Sequence, residues 1–439
     1  MNRYPIGKPP KWWSPRPSRF WMRVWRRRRQ RILQRQENVA SVQINGLQYV
    51  RQAIEAEQGV LIVANHPTHA DWLTIFEALD QLRQTCYVMT TWQVFQMAGP
   101  IVRLQYRQHG CFSIDRDGAD RQAFRCSVDV LATSSRPLVI FPEGEVYHTA
   151  DRVAPFREGP ATIAQAAVKR SGRSVACVPC ALRYRYSKSP LPELLDVMDR
   201  VEQKLELCPN QSMDLVERIY RAGDAATARL EREHMGESQS GQLLRERMPR
   251  LVQAILNGLD KKYGIETRRW SATERVMQLR NRVIVKRAEL LNSHSATMAK
   301  DRIGHARDAT EKSLANDSKF QELNRDVEKL FQAVQLCSYP SGYLSANPTL
   351  ERIAETIDKL EEDVLGAETA GIRGVREAKL TFGEPILIDQ PGDKETAISL
   401  TDTMHQRLQA MIDEDVVLAA NQESLLPGNA TSQSLNMNG

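Results

Sequence analysis

No stretch of this 439-residue sequence stays apolar for the ~18 residues that a membrane-spanning helix requires. Mean hydropathy is negative, and the basic start of the chain is not followed by a continuous apolar run. Neither a transmembrane helix nor a secretory signal peptide is therefore expected. Cysteine is sparse as well. The seven cysteines are odd in number and scattered through segments that read as strands and helices. That suits a reducing, cytoplasmic location better than a disulfide framework. Cys177-x-x-Cys180 has no second pair to complete a zinc site, and no other metal-ligand cluster is visible. The pair falls in a strand pattern, where residues three apart point to opposite faces, so its role is read as structural. No Gly-x-Ser-x-Gly is present, which excludes the nucleophile elbow of the common α/β-hydrolases.

Acidic residues are missing from one region. Residues 1–36 contain twelve Lys or Arg and no Asp or Glu, whereas the whole chain carries only +6. Everything after residue 36 is thus net acidic. The same segment holds Trp12, Trp13, Trp21 and Trp25, four of the seven tryptophans. Arginine beside tryptophan, on a segment able to turn helical from about Ser18, suits a membrane interface. Guanidinium groups meet anionic headgroups there while indoles sit at the acyl boundary. A solvated tail and a nucleic-acid arm are the weaker readings. No recognition motif accompanies the basic residues, so no nucleic acid is expected as a partner.

The most informative run is Val63-Ala64-Asn65-His66-Pro67-Thr68-His69-Ala70-Asp71. A spacing of five does not place His66 and Asp71 on one helix face. Pro67 resolves this, because the residue before a proline is pushed out of the helical region. His66 then sits on an extended turn, and Asp71 opens the following helix, where the helix dipole favours an ionised carboxylate. That carboxylate can turn back to hold the imidazole. The strand Gly59–Ala64 delivers the pair to the carboxyl edge of a sheet, where α/β proteins place their ligands. His69 is a competing base, less naturally paired with Asp71, and His148 is a further candidate to line the site.

A second buried strand, Pro137-Leu-Val-Ile-Phe-Pro-Glu-Gly-Glu145, ends in Pro-Glu-Gly. Gly144 lets the backbone adopt a positive φ or approach a ligand, and Glu143 needs a partner to offset its burial. Between the two lies Gly110-Cys-Phe-Ser-Ile-Asp-Arg116, and after them Val175-Ala-Cys-Val-Pro-Cys-Ala-Leu182. In order and spacing these four blocks resemble the glycerolipid acyltransferases of the lysophosphatidic acid acyltransferase type. That family's signature is Asn-His-x4-Asp, Gly-x-x-Phe-x-x-Arg, Phe-Pro-Glu-Gly and a Val-Pro strand. The resemblance covers roughly residues 40–186, and segment 376–414 fits it too.

The resemblance implies transfer of a fatty acyl group to a glycerol hydroxyl of a lysophospholipid. The donor would be acyl-CoA or acyl-carrier protein acting as cosubstrate, with no bound cofactor and no metal. His66 would be the general base, Asp71 its partner, and Arg116 the ligand of the acceptor phosphate. Phe141, Pro142, Glu143, Gly144 and Glu145 would shape the acceptor pocket. This chain departs from the family where Phe-Pro-Glu-Gly is usually followed by Thr-Arg. Here Glu145-Val146-Tyr147 stands instead, so one phosphate-binding Arg is missing and a carboxylate is added. Either Arg152 or Arg157 compensates, or the acceptor carries a different headgroup. The alternative reading is a catalytically altered lipid-binding or scaffold member of the same fold.

Coarse periodicity predicts an α/β fold: a mostly parallel sheet with helices on both faces, interrupted by a large all-helical insertion. Strands are expected near 59–64, 85–90, 111–114, 137–141 and 174–184, and helices near 71–83, 93–105, 119–133 and 158–170. The expected organisation is a membrane-interface segment at 1–36 and a first catalytic part at 37–186. A helical insertion follows at 187–375, then a closing strand and helix at 376–420, and a disordered tail at 421–439. Within the insertion, Ser271-x-x-Glu274 reads as a capping box, and a helix is expected to begin at Asn347-Pro348. The protein is expected in the cytoplasm, peripherally associated with membrane.

Overall fold

The computed structural model describes residues 9, 11–116, 118, 120–265, 272–298, 316–345 and 348–424. The capping box at Ser271, the residue Asn347 and most of the tail fall outside the described residues. The first half of the chain runs α1 (Arg19–Arg35), β1 (Val39–Asn45), α2 (Leu47–Glu55), β2 (Gly59–Ala64), α3 (Asp71–Gln81) and β3 (Tyr87–Thr91). Next come α4 (Trp92–Met97), α5 (Pro100–Gln108), β4 (Cys111–Ile114), α6 (Arg121–Thr133), β5 (Leu138–Ile140), α7 (Gly159–Ser171) and β6 (Val175–Lys188). Helices follow: α8 (Leu191–Lys204), α9 (Leu215–Met235), α10 (Leu244–Tyr263), α11 (Ala272–Met298), α12 (Ser318–Cys337) and α13 (Leu350–Val364). The chain then closes with β7 (Val375–Phe382), β8 (Ile386–Ile388) and α14 (Lys394–Ser424).

The strands form one mixed, mostly parallel sheet in the order β1-β7-β6-β2-β5-β3-β4, with β8 also paired to β6. Strands β7 and β8 pair antiparallel with β6, and β1, parallel to β7, runs in the same direction as β7. All six residues of β2 are buried, as a strand covered on both faces requires. Its alternate side chains feed two cores. Val60, Ile62 and Ala64 meet Leu73 and Phe76 of α3 and Val50 of α2, while Leu61 and Val63 meet Leu131 of α6, Ile163 of α7 and Met404 of α14. Cys177 and Cys180 of β6 belong to opposite cores, and all seven cysteines are free thiols.

Two elements differ from the sequence reading. The expected helix 93–105 is two, because Ala98 and Gly99 take extended backbone and Pro100 starts a new helix at its first position. The closing strand expected from residue 376 is broken into β7 and β8. Gly383 donates its N–H to Pro179 O at 2.8 Å, and Pro385 has no N–H to continue a ladder. Strand β1 and helix α2 add to the expected list. The closing helix is longer than expected, running on to Ser424, so residues 421–424 are helical.

Between β6 and β7 the chain builds its own apolar cores. One joins α10, α11 and α12 through Leu251, Ile255, Leu279, Val283 and Leu330. Another joins α8, α9 and α13 through Val197, Val201, Ile219, Ile357 and Leu360. Buried arginines tie these helices: Arg218 meets Glu202 Oε2 at 2.6 Å, and Arg247 meets Glu231 Oε2 at 2.8 Å.

The basic N-terminal segment is partly built into the fold. Trp13 is buried, stacks on Phe95 at 5.5 Å and exchanges hydrogen bonds with Ser113 of edge strand β4. Arg29 is buried against Asp80 and Met22 O. Trp21, Phe20 and Val24 of α1 remain exposed. Among the described residues, no helix is long and apolar enough to cross a membrane.

The turn from β1 into α2 depends on Gly46. Its φ is +70°, and an added Cβ would sit 1.9 Å from Phe382 O. Gly46→Ala should therefore cost more than about 2 kcal/mol, left-handed strain and backbone displacement combined. Urea denaturation checks this, and an unchanged midpoint would show that β7 gives way freely.

Candidate active site

The carboxyl ends of β2, β4 and β5 face one side of the sheet, and the residues that follow each strand converge there. After β2, Asn65 bridges to β6: its Nδ2 donates to Leu182 O at 2.9 Å, and its Oδ1 accepts from Leu182 N at 2.8 Å. This clamp fixes the backbone from which His66 projects. His66 Nδ1 lies 2.7 Å from Asp71 Oδ2. Asp71 is fully buried at the first position of α3, where it is the acidic group nearest the positive helix end.

The Asp71 carboxylate is fully engaged. Oδ2 also accepts from Thr68 N at 3.0 Å, while Oδ1 accepts from Thr68 Oγ1 at 3.1 Å and from Tyr184 Oη at 2.7 Å. Such a carboxylate cannot rotate away. It accepts a hydrogen bond from His66 Nδ1–H and leaves Nε2 as the acceptor. On its other side the His66 ring stacks on Phe141, with centroids 4.2 Å apart and planes 21° from parallel. Neither Tyr184 nor Thr68 was singled out from sequence. For Tyr184 a signal exists, since a tyrosine sharing a strand face with Leu182 and Cys180 must bury its hydroxyl and find it a partner.

Glu143 joins the third block to the first. Its Oε1 accepts from His66 N at 2.7 Å and its Oε2 from Ala154 N at 2.9 Å. Burial pushes its carboxyl up to about 8; the two N–H bonds oppose that rise and nearby Asp71 adds to it. Pro142 O accepts from Arg157 N at 3.0 Å, and Gly144 has a φ of +79°. Arg116 pairs with Glu145 Oε2 at 2.9 Å and donates to Gly144 O. Arg157 Nη1 in turn donates to Arg116 O at 3.0 Å. Arg280 of α11 approaches Glu145 Oε1 at 3.9 Å. Burial disfavours charge on Glu145, yet Arg116, Arg280 and Arg157 outweigh it and hold the carboxyl below its ordinary range.

Of the two arginines weighed against the departure at Glu145, the structure brings Arg157 into the site. Arg152 instead donates to Ser341 O on the helical side. His69 is pushed down to about 4, first by burial and then by His66 and His148, so it stays neutral near pH 7. His148 Nε2 lies 3.1 Å from Glu362 Oε1 of α13 and its ring meets that of His69. Among the described residues, no group of three or more His, Cys, Asp or Glu is placed to hold a metal ion.

Residues 41–183 match the Acyltransferase family model. That span runs from β1 into β6 and includes His66, Asp71, Arg116 and the Phe141–Glu145 turn. The chain thus carries an Acyltransferase-family domain, which supports a general role in acyl transfer. The search of curated proteins returned no match.

Glu143 gives the fold a defined pH dependence. Its ordinary value is 4.5 and its folded value about 8, so across that window the folded state keeps a proton that the unfolded state has lost. Stability must fall as pH rises through the window. Between about pH 5 and pH 8.5 the Tm of Glu143→Gln should drop less than that of the wild type. Buried Glu355 and Asp358 are also raised but are common to both proteins, so parallel profiles would remove Glu143 from the account.

Proposed function

We propose that this protein moves a fatty acyl group from an acyl thioester, acyl-CoA or acyl-carrier protein, to a glycerol hydroxyl of a lysophospholipid. This is chemistry of phospholipid biosynthesis or remodelling. The observation that carries the reading is the His66 Nδ1–Asp71 Oδ2 contact of 2.7 Å inside an Acyltransferase-family domain. His66 Nε2 takes the hydroxyl proton as the alcohol oxygen attacks the thioester carbon. The tetrahedral adduct then collapses, an ester bond remains, and the expelled thiolate regains the proton from the imidazolium. Asp71 steadies the imidazolium between the two transfers, and general-base help of this kind is worth about 10²–10⁴ in rate. The thioester is already activated, so the scheme needs no covalent enzyme intermediate, metal or resident cofactor. Arg116 is the proposed ligand of an acceptor phosphate, and Phe141 to Glu145 form the wall beside it.

We further propose action at a membrane surface, on the cytoplasmic side and without insertion. Exposed Phe20, Trp21 and Val24 on α1, flanked by Arg19, Arg23, Arg26, Arg27 and Arg28, support an interfacial contact with anionic lipid. The helix pair α4–α5 adds exposed Met97, Ile101 and Leu104, and Ser18 N donates to Gln108 O at the end of α5.

Purified protein should acylate at least one member of a lysolipid panel supplied with both donor types. His66→Ala and Asp71→Ala should each lower kcat by at least about 10² with the fold intact, and the double variant should lose little more. Full activity in His66→Ala would end the general-base assignment. Deletion of residues 1–36 removes packing at β4, so Phe20, Trp21 and Val24 replaced together by Ser is the cleaner test of membrane contact. Flotation with anionic vesicles should weaken in that variant, and the remainder should be lost in high salt. Flotation equal to wild type would put the contact elsewhere.

A further inference from the structure

The Asp71 carboxylate is buried, and while His66 is the free base the groups that donate to it are all neutral. A buried carboxylate with no cation in reach is costly. Arg376, near the start of β7, supplies one from across Tyr184. In the β6–β7 register Tyr184 faces Ala378 and Tyr186 faces Arg376, so these side chains share one face of the sheet. The Arg376 guanidinium lies over the Tyr184 ring, 5.3 Å from its centroid. The hydroxyl of that ring donates to Asp71 Oδ1 at 2.7 Å. Arg376 is only 9% exposed. Its Nη2 donates to Glu37 O at 2.9 Å, and its Nε is buried with no hydrogen-bond partner among the described residues. Glu37 senses both charges: burial raises its carboxyl, Arg376 opposes the rise and Asp71 adds to it. Burial and the Asp71 charge hold the Tyr184 phenol well above its ordinary range, so it remains a donor throughout the neutral range. A phenylalanine would fill the same space, so packing alone does not call for the hydroxyl. Donation into Oδ1 and a cation beyond the ring both draw charge from the carboxylate. Each therefore weakens its hold on an imidazolium relative to a neutral imidazole.

We propose that Tyr184 and Arg376 are positioning residues of the His66–Asp71 couple: Tyr184 holds Asp71 Oδ1, Arg376 biases that bond from across the ring, and together they keep His66 a free base near neutral pH. The proposal rests on the general-base reading of His66. Both residues act through Asp71 and not on the reacting atoms. In turnover, a carboxylate that holds the imidazolium less tightly lets its Nε2 proton pass more readily to the departing thiolate. Arg376 arrives with β7, after the whole helical region, so closing the sheet also completes the electrostatics of the couple.

Full-length wild type is compared with Tyr184→Phe, Arg376→Met and Arg376→Lys. The His66 side chain is 21% exposed, and diethyl pyrocarbonate modifies only a neutral imidazole, so peptide mapping follows the His66 reaction against pH. In Tyr184→Phe and Arg376→Met the midpoint of that reaction should rise by at least about 0.5 pH unit, a modest value for a lost carboxylate hydrogen bond or a lost nearby charge. The acid limb of kcat/KM for acyl transfer should move up with it, while the acceptor KM stays near wild type. Arg376→Lys keeps the charge and should keep the wild-type midpoint. Glu143, His69, His148 and Cys180 are the other titratable groups around the couple, and all four proteins share them. Around Arg376 stand Glu37, Tyr186 and Asp358, which respond to its charge. Tyr184→Phe leaves that charge in place and so carries the assignment to the couple. An unchanged midpoint in Tyr184→Phe overturns the proposal even if acyl transfer is robust. Equal shifts in Arg376→Lys and Arg376→Met would make packing the cause and overturn the part given to Arg376. A raised midpoint in a protein that acylates no acceptor supports the coupling and counts against the acyl-transfer reading alone. Should Tyr184→Phe fail to fold, the two Arg376 variants decide by their difference.

Discussion

The buried carboxylate of Asp71 is the constraint on which the site depends. A charge with no access to water is tolerable only when every lone pair is used, and here four hydrogen bonds from His66, Thr68 and Tyr184 do so. Each donor is supplied by a different feature of the fold. Thr68 requires the tight turn after Pro67, His66 requires the end of β2, and Tyr184 requires β6 in register beside β2. The register pairs Ala64 with Cys180, and Asn65 then locks onto Leu182. The His–Asp couple is therefore the meeting point of a turn, a strand pairing and a helix start. Its geometry is as rigid as the sheet beneath it.

The loop that follows β5 is the other half of the site, and it is gripped from two sides. Towards the sheet, Glu143 accepts from His66 N and Phe141 stacks on the imidazole. Towards the helical region, Asp151 binds both Arg183 of β6 and Arg352 of α13, at 2.7 and 2.9 Å. His148 meets Glu362 on the same helix, with φ at +50°. Lys359 Nζ reaches Tyr147 O at 3.3 Å, and burial pulls that amine down to about 8 despite three acidic neighbours. So many buried polar links would be a liability if left half satisfied. Their convergence on one loop argues that α13 and its neighbours set the shape of that loop rather than decorate a finished domain.

The N-terminal segment divides its aromatic and basic residues between two tasks. Trp13 and Arg29 are internal, the first sealing the β4 edge that would otherwise present unpaired backbone, the second bridging α1 to Asp80 and to His109 at 3.0 Å. Phe20, Trp21 and Val24 face outward on the same helix. Composition alone assigns all of these residues one role; their burial separates them.

Much of the α/β half was legible in the chain because its signals are local. The buried runs Gly59–Ala64 and Leu138–Ile140 are short, apolar and bounded by turn residues. Pro67 dictates the geometry between His66 and Asp71 within six residues, and Gly144 announces its positive φ. Strand β1 was harder to read, since it is an edge strand with only Val39 buried and no clean alternation. The break at Gly383–Pro385 depends on where Pro179 falls in the neighbouring strand, which one segment cannot reveal. Tyr184, Arg280 and Glu362 lie far along the chain from the residues they meet, and no spacing rule links a helix of an insertion to a particular loop. The sequence by itself determined the buried strands β2 and β5, the turn chemistry and the His–Asp couple, because these follow from backbone preferences over a few residues. Only the tertiary structure decided which distant charges surround Glu145 and which side chains saturate Asp71, because those pairings are fixed by the packing of helices whose sequences encode apolar faces and not partners.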